Sequence, residues 1–475
     1  METLNLDEAS GLVMLHLGLG SFHRAHQAVY LQHLMDAGDT RWLLAGANLR
    51  PDMAAVLSAL QAQNGRYTLE TVSPAGLYRY ENIQSIRKIL PWEPSLAQVI
   101  ECGASPSTRV ISFTVTEAGY YLDAAGRLDF SFAELAPDVE LARRGEAGQT
   151  IYGALYAILC ARQAANAGAV TLLNCDNLRH NGERFRAGFM EFITCVGNQA
   201  LLDWVRHQTT CPNAMVDRIT PRPPAELRER VLAATGVDDA VAVTAESFIQ
   251  WVIEDNFING RPDWARVGVQ LVDSVQPYEE AKIRILNATH SCIAWAGTLI
   301  GLDFIHQGTH HATICRIAFD YVTEDVIPCL SAPGVTGPID LHAYRDVVLE
   351  RFGNPAILDT NQRVAADGFS KIPGFIAPTV RDRLTRRQPI DAVAMLPALF
   401  LAFLQRWHRG LLPYVYQDQG MDPVIAHAIC AAADPVAALC ADAMLWGDLA
   451  GDARLVDAIR RASQRVETFV EAGHE

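Results

Sequence analysis

Up to about residue 275, short apolar runs alternate with helical patterns. Val13 to Leu17, Trp42 to Ala47, Arg109 to Val115 and Ala169 to Leu173 are brief and rich in aliphatic residues. Such runs predict strands buried on both faces. Gln27 to Ala37 and Ile151 to Ala167 carry the three-to-four-residue apolar spacing of helices. Strands alternating with helices predict a parallel, doubly wound α/β sheet covered on both sides. From residue 278 the texture turns helical, at Tyr278 to Gly301, His311 to Val326, Ala392 to His408 and Val436 to Leu449. The chain therefore divides into 1–277 and a mainly α-helical 278–475. Loops are predicted at Thr220 to Pro224, Ser331 to Pro338 and Arg386 to Pro389.

Composition narrows the function classes. The chain has 475 residues, 50% hydrophobic and 20% charged, which excludes global disorder. A formal charge of −15 argues against nucleic-acid binding, which needs a basic face. It does not exclude a small anionic ligand, which reads only the local field. Met1 to Ser10 carries Glu2, Asp7 and Glu8 and no basic stretch, so no signal peptide is expected. The apolar stretch from Ile293 to Ile305 contains Thr298 and Asp303 and is too short to span a membrane. Ten cysteines without a CxxC pair read as reduced thiols of a cytoplasmic protein.

The first chemical signal is VMLHLGLGSFHRAHQAVYLQHL. A strand ends at Leu17, Gly18 permits a tight turn, and Gly20 lets backbone approach a pyrophosphate at a helix N-terminus. Phe22 lies in the same turn, and Arg24 is placed to add a charge-assisted contact. The G-x-G-x-x-G pattern is incomplete, because His23 stands at the third glycine. The helix must then pack less closely on the strand or start differently. After the second strand come Asn48, Arg50 and Asp52. Asp52 suits the ribose hydroxyls of a dinucleotide, or equally the N-cap of a helix near Met53. Arg50 suits a 2′-phosphate instead.

Two later strands end in polar clusters. ISFTVTEAGYY supplies Thr114, Thr116 and Glu117, and TLLNCDNLRHNGERF supplies Asp176 and Asn177. Amides at the carboxyl rim of a parallel sheet suit an oxyanion. Asp176 reads first as a cap for a helix near Arg179, and Asn177 as either a cap or an oxyanion donor.

The strongest signal is YEEAKIRILNATHSCIAWAG. On an α-helix Lys282, Asn287 and His290 fall at about 0°, 140° and 80°, on one side of an otherwise apolar segment. Alcohol oxidation needs a base, donors for the alkoxide and a hydride acceptor. Lys282 fits the base once its pKa falls from about 10.4 to about 7–8. Asn177 and Asn287 fit the donors, and His290 a substrate-orienting hydrogen bond. His16, His23, His26 and His33 form no HExxH, and no G-x-S-x-G elbow occurs, so the chemistry reads as metal-independent and non-covalent.

With these residues assembled, the chain resembles the polyol-specific long-chain dehydrogenases, the mannitol dehydrogenase family. The carrying motifs are GLGSFHRAH, TVTEAGYY, NCDNLRHNG, PNAMVDRITP, KIRILNATHS and DTNQRVAADGFSKIP, spread over residues 14 to 380. The resemblance implies an N-terminal Rossmann-type domain, a helical C-terminal domain and a site between them. It implies NAD as cofactor, with Gly18, Gly20, Phe22, Arg24, Asp52 and Thr114 around it. It implies oxidation of a polyol to a ketose, foremost D-arabinitol to D-xylulose. Hexitols such as mannitol, or a fructuronate-type uronate, are the neighbouring alternatives, and a non-catalytic nucleotide or sugar sensor is the remaining one. Lys282 then matches the base, Asn177 and Asn287 the oxyanion pair, and His290 a substrate ligand. Glu117 matches a proton path, and Asp217, Arg363 and Lys371 match residues around the polyol. The implied partners are a small polyol, with no nucleic acid and no membrane, and a monomer fits the resemblance.

Overall fold

A computed structural model describes residues 11–123, 126–332 and 339–473. The predicted loop at Ser331 to Pro338 falls mostly outside them. The chain forms two compact units. The first runs to Gln276 except for Ser73–Leu77, which groups with the second, and the second otherwise begins at Pro277.

The first unit carries β1 (Leu12–Leu17), β2 (Trp42–Ala47), β3 (Tyr67–Val72), β4 (Tyr78–Ile83), β5 (Ile86–Ile89), β6 (Thr108–Phe113), β7 (Val170–Asn174), β8 (Thr209–Thr210), β9 (Ala214–Asp217), β10 (Val243–Glu246), β11 (Gln250–Glu254) and β12 (Gln270–Val272). Six of them make one wholly parallel sheet in the order β5-β2-β1-β6-β7-β8. The chain runs outward from β1 through β2 to β5, then returns to the other side of β1. The order therefore reverses between β1 and β6, and ligands of such sheets bind outside the carboxyl ends of the strands there. All five residues of β7 and five of the six in β1 are buried, which is why the runs lack polar alternation. Two small three-stranded sheets, β10-β3-β4 and β12-β11-β9, complete the unit.

The second unit is helical. Its centre is the helix Ala288–Leu299, in which every residue but His290 is buried. It packs against the helices Ile305–His310, Asn361–Ala365 and Met395–His408. Here the sequence periodicity misleads in three places, the mildest at His311 to Val326, which is α-helical over Ala312–Asp320 and π-helical over Tyr321–Val326. The segment expected as one α-helix from Tyr278 is a helix Gln276–Ala281, a π-helical turn Lys282–Asn287 and then the central helix. The segment from Val436 breaks into Pro435–Ala441, Ala443–Trp446 and a 3₁₀ turn Gly447–Leu449. The break follows from Asp442, whose extended backbone and carboxylate cap a new helix at Met444 and Leu445. Gly447 then takes a φ of +58°. Among the described residues no helix is long and apolar enough to cross a membrane. The ten cysteines are unpaired.

Candidate active site

At the β1–β6 switch point the glycine turn is held from below. Gly18 has a φ of +107°, and a Cβ there would overlap the Thr114 carbonyl oxygen. Only glycine fits that crossing. Thr114 Oγ1 donates to the Gly18 carbonyl at 2.8 Å. His16, buried at the end of β1, lies 3.1 Å from the same carbonyl through Nε2 and 2.8 Å from Ser112 Oγ through Nδ1. Burial pushes His16 down to about 3, so its ring is neutral. His23 lies flat on it, 3.5 Å between ring centres. This stack is how the turn does without a third glycine. The helix behind it is cut to Ser21–Ala25, and a new one starts at Gln27.

Gly20 differs from Gly18. Its φ is −85°, and a Cβ there would meet only the Gly18 carbonyl oxygen, at 4.0 Å. Nothing in the protein demands glycine at this point, so the open space is room for a ligand. The backbone N–H groups of Ser21, Phe22 and His23 open a helix and have no intrahelical acceptors. Asn48 takes the Leu19 N–H at 2.6 Å, while its own buried Nδ2 has no partner. Phe22 is half-buried and stacks on His26 at 5.0 Å.

One cofactor expectation and one capping alternative need revision. Arg24 is buried and donates to the Val241 carbonyl, with its guanidinium over the Tyr67 ring. It pins the short helix to the segment leading into β10 rather than reaching for a phosphate. Tyr67 and Arg218 complete that task by donating to the carbonyls of Arg24 and Ala25, each at 2.6 Å. Asp52 is exposed in the first turn of a 3₁₀ helix and makes no capping hydrogen bond, so the capping alternative falls away. Arg50 donates to Tyr121 Oη at 2.8 Å.

At the neighbouring rim, Asp176 is not a helix cap. The helix begins at Asn181 without a side-chain cap. Asp176 instead accepts the Val115 and Thr116 N–H groups, at 2.9 and 3.0 Å, and the Tyr120 hydroxyl at 2.8 Å. It ties the turn after β6 to the turn after β7. Asn177, next in the chain, is exposed on that rim. The side chain of Glu117 lies outside those described. Asp217 is a buried carboxylate at the end of β9.

The second unit gathers the remaining candidates. Lys282 opens the π-helical turn and is buried, and Asn287 closes it half-buried. α-Helical geometry would hold these two about 140° apart. An i→i+5 ladder stacks residues five apart, so the π turn brings them to one face. The turn is braced by Tyr321, which donates to the Arg284 carbonyl at 2.8 Å. The Arg284 guanidinium pairs with Glu280 at 2.7 Å and with Asp382. No described residue takes up the Asn287 carboxamide. His290, one turn on, lies 3.3 Å from Asp359 Oδ2 and stacks on Phe352 at 4.3 Å.

Asp359 was not singled out from the sequence, yet it joins two residues that were. Arg363 Nε donates to its Oδ1 at 2.6 Å and Nη2 to its Oδ2. Burial opposes the Asp359 charge, but His290 and Arg363 together hold its carboxyl well below the carboxylate range. Burial pushes His290 down in spite of Asp359, leaving it neutral. Lys371, whose Nζ donates to the Val364 carbonyl, is pushed down to about 8, chiefly by burial. The signal that could have found Asp359 is the Asp–Arg spacing of four in DTNQR. Glu279 was missed likewise: it is buried three residues before Lys282.

Comparison with known proteins agrees with this arrangement. The mannitol dehydrogenase Rossmann domain matches residues 13–266, and the mannitol dehydrogenase C-terminal domain matches 274–467. A D-arabinitol 4-dehydrogenase from Ralstonia nicotianae is 59% identical over 96% of this chain and 97% of its own length. One from Klebsiella pneumoniae is 56% identical over 96% and 98%. The Pseudomonas fluorescens mannitol 2-dehydrogenase ternary complex with NAD and D-mannitol superposes with a TM-score of 0.82 at 32% identity, covering 98% of this chain and 95% of that one. A glycine turn at a sheet reversal, a lysine–asparagine turn heading a buried helix and a sequence shared along both units place this chain in the mannitol dehydrogenase family.

Proposed function

We propose that the protein oxidises D-arabinitol to D-xylulose with NAD, using Lys282 as general base and no metal. The observation that carries the reading is Lys282: a buried amine on the same face as an uncommitted amide, which is itself one turn from a neutral histidine. The named activities of the two relatives at 59% and 56% identity support the substrate. The NAD-bound mannitol 2-dehydrogenase supports the cofactor.

The residues fit a dinucleotide. Gly20 leaves open space where backbone must approach a pyrophosphate, and the unpartnered Nδ2 of Asn48 suits a polar ligand. Gly18, Gly20, Phe22 and Thr114 would hold it, with Asp52 at the ribose. When bound, NAD supplies the acceptor for the hydride from the alcohol carbon. Lys282, in its neutral form, takes the hydroxyl proton. Asn287 and Asn177 donate to the oxygen as charge develops on it, without adding a competing charge. His290, Arg363, Lys371 and Asp217 orient the remaining hydroxyls. Glu117 relays the proton onward. Among the described residues no three His, Cys, Asp or Glu side chains converge as a metal site would require. The unpaired thiols suit a cytoplasmic setting.

The test is purified protein with NAD and D-arabinitol, followed by absorbance of the reduced cofactor, identification of the ketose and a repeat after chelation. D-Xylulose production that survives chelation is expected. No rate with any pentitol or hexitol would sink the reading.

A further inference from the structure

We propose that Asp418, together with Tyr416, is a positioning residue: the pair caps the short helix Gly368–Lys371 from a distant segment and so fixes where the Lys371 amine meets the polyol. The inference deepens the reading that Lys371 is a substrate ligand and rests on it.

Four residues cannot hold a helix by themselves. Gly368–Lys371 is such a helix, and Asp367 before it, at a φ of +57°, gives its first N–H groups no side-chain acceptor. The acceptors come from 48 and 49 positions further along the chain. Gly368 N–H donates to Tyr416 Oη at 3.1 Å, and Phe369 N–H to Asp418 Oδ2 at 2.9 Å. The Tyr416 hydroxyl donates to the same Oδ2 at 2.6 Å, which turns its lone pairs toward Gly368. One carboxylate therefore orients both caps. It is anchored in turn by the Gly420 N–H, 3.0 Å from Oδ1. Asp367 ties the two segments again. Its N–H donates to the Gln417 carbonyl at 3.0 Å, and its Oδ1 accepts the Gln419 N–H at 2.9 Å. The rings of Phe369 and Tyr416 lie edge-on to Phe400 and Phe403, at 5.7 and 5.1 Å.

Lys371 is the last residue of this helix. Its N–H donates to the Asp367 carbonyl at 3.1 Å, and its amine to the carbonyl of Val364, the neighbour of Arg363. The main chain of Lys371 is thus set by the capped turn, and its amine by the helix Asn361–Ala365. A four-carbon stem has no fixed shape of its own, so the amine keeps its place only while the turn does. Asp367, Asp418 and Asp359 favour its charge and Arg363 opposes it, yet burial outweighs them and holds it at about 8.

Lys88, Lys282 and Lys371 are the only lysines of the sequence, so each amine can be followed singly. They are titrated by trace acetylation with acetic anhydride across pH, read by mass spectrometry, on protein free of polyol. Asp418→Ala should lower the Lys371 ionisation constant by about tenfold or more, from about 8 toward the ordinary 10.5, because a freed amine regains water. Lys88 and Lys282 should keep theirs. The sign is decisive: a carboxylate acting only as a nearby charge would, on removal, make Lys371 release its proton more readily. With NAD, the same variant should raise the KM for D-arabinitol about tenfold and lower kcat by less than about threefold. A merely destabilised protein loses kcat at unchanged KM. Added to Lys371→Gln, Asp418→Ala should raise KM by less than about twofold more. Tyr416→Phe removes one cap and no charge, and should move both readouts the same way by smaller factors, so it carries the test if Asp418→Ala does not fold. A Lys371 ionisation that stays in place or moves the other way overturns the proposal. So does an equal change at all three lysines, or a full KM effect of Asp418→Ala in the absence of the Lys371 amine. A Lys371→Gln variant with unchanged KM, beside the stated change in ionisation, would remove Lys371 from the substrate and leave its placement by Asp418 standing.

Discussion

In the first unit the candidate residues are held by turns after parallel strands, and in the second by π-helical turns and buried ion pairs. Gly18 is fixed by a left-handed φ under the Thr114 carbonyl, and Asp176 binds two backbone N–H groups. Among the described residues the second unit holds three π-helical turns, Lys282–Asn287, Tyr321–Val326 and Ile372–Ile376, and the first packs against the other two. Lys282 and Asn287 stand at the two ends of one, and Lys371 immediately precedes another. π turns are rare and concentrate at functional sites, because they redirect side chains at a cost in backbone order. A cofactor common to many enzymes can be met by a generic backbone turn, whereas a particular substrate needs side chains aimed one by one.

That contrast can be broken most directly at Lys282. Lys282→Ala should lower kcat by about 10²–10⁴-fold, the usual share of a general base, and leave NAD affinity within about twofold. Near-normal turnover at neutral pH would refute the base assignment, and a large loss of NAD affinity would erase the division of labour. Gly18→Ala is the reciprocal test. Its strained backbone and blocked Cβ should cost about 1–3 kcal/mol, seen as a lower thermal midpoint and an NAD affinity reduced about 5- to 150-fold. Unchanged NAD binding would mean the turn tolerates what its geometry forbids.

Lys371 sharpens the comparison through pH. Its amine is pushed from 10.5 to about 8, so the folded protein releases this proton before the unfolded chain does. Between those values the unfolded state binds more protons, and stability should rise with pH. Lys371→Gln should flatten that rise in chemical denaturation followed across pH 8 to 10, and an unaltered slope would remove Lys371 as its source. The same variant separates the two lysines in the rate profile, since an ionisation near 8 that survives it belongs elsewhere. The smallest effect is expected at Asp52, exposed and uncommitted in the first unit. Asp52→Ala should change the ratio of kcat/KM for NAD over NADP by no more than about tenfold, and a larger change would make it the principal ribose contact.

The doubly wound sheet and the helical second unit were legible because burial on both faces leaves unbroken apolar runs, as in VTLLN of β7. Lys282, Asn287 and His290 were legible as polar residues in an apolar helix. Three features were not. Arg24 reads as a phosphate ligand until Val241, 217 positions away, is seen to take it. Asp176 reads as a cap until the turn after β6 is folded against it. The π turn is invisible to a wheel drawn at 100° per residue, because the extra residue is accommodated by packing, with Tyr321 meeting the Arg284 carbonyl.

What the residue order determined by itself was every property carried by local periodicity and by composition: two textures, a glycine turn after the first strand, and a lysine and two polar partners on one helical stretch. Tertiary structure alone decided which charge meets which. Asp359 and Arg363 lie four residues apart, but His290 comes from a distant helix, and their meeting sets who is ionised and who is neutral. Local patterns propagate along the chain through backbone geometry, but desolvation and ion pairing depend on distance in space, which no spacing along the chain encodes.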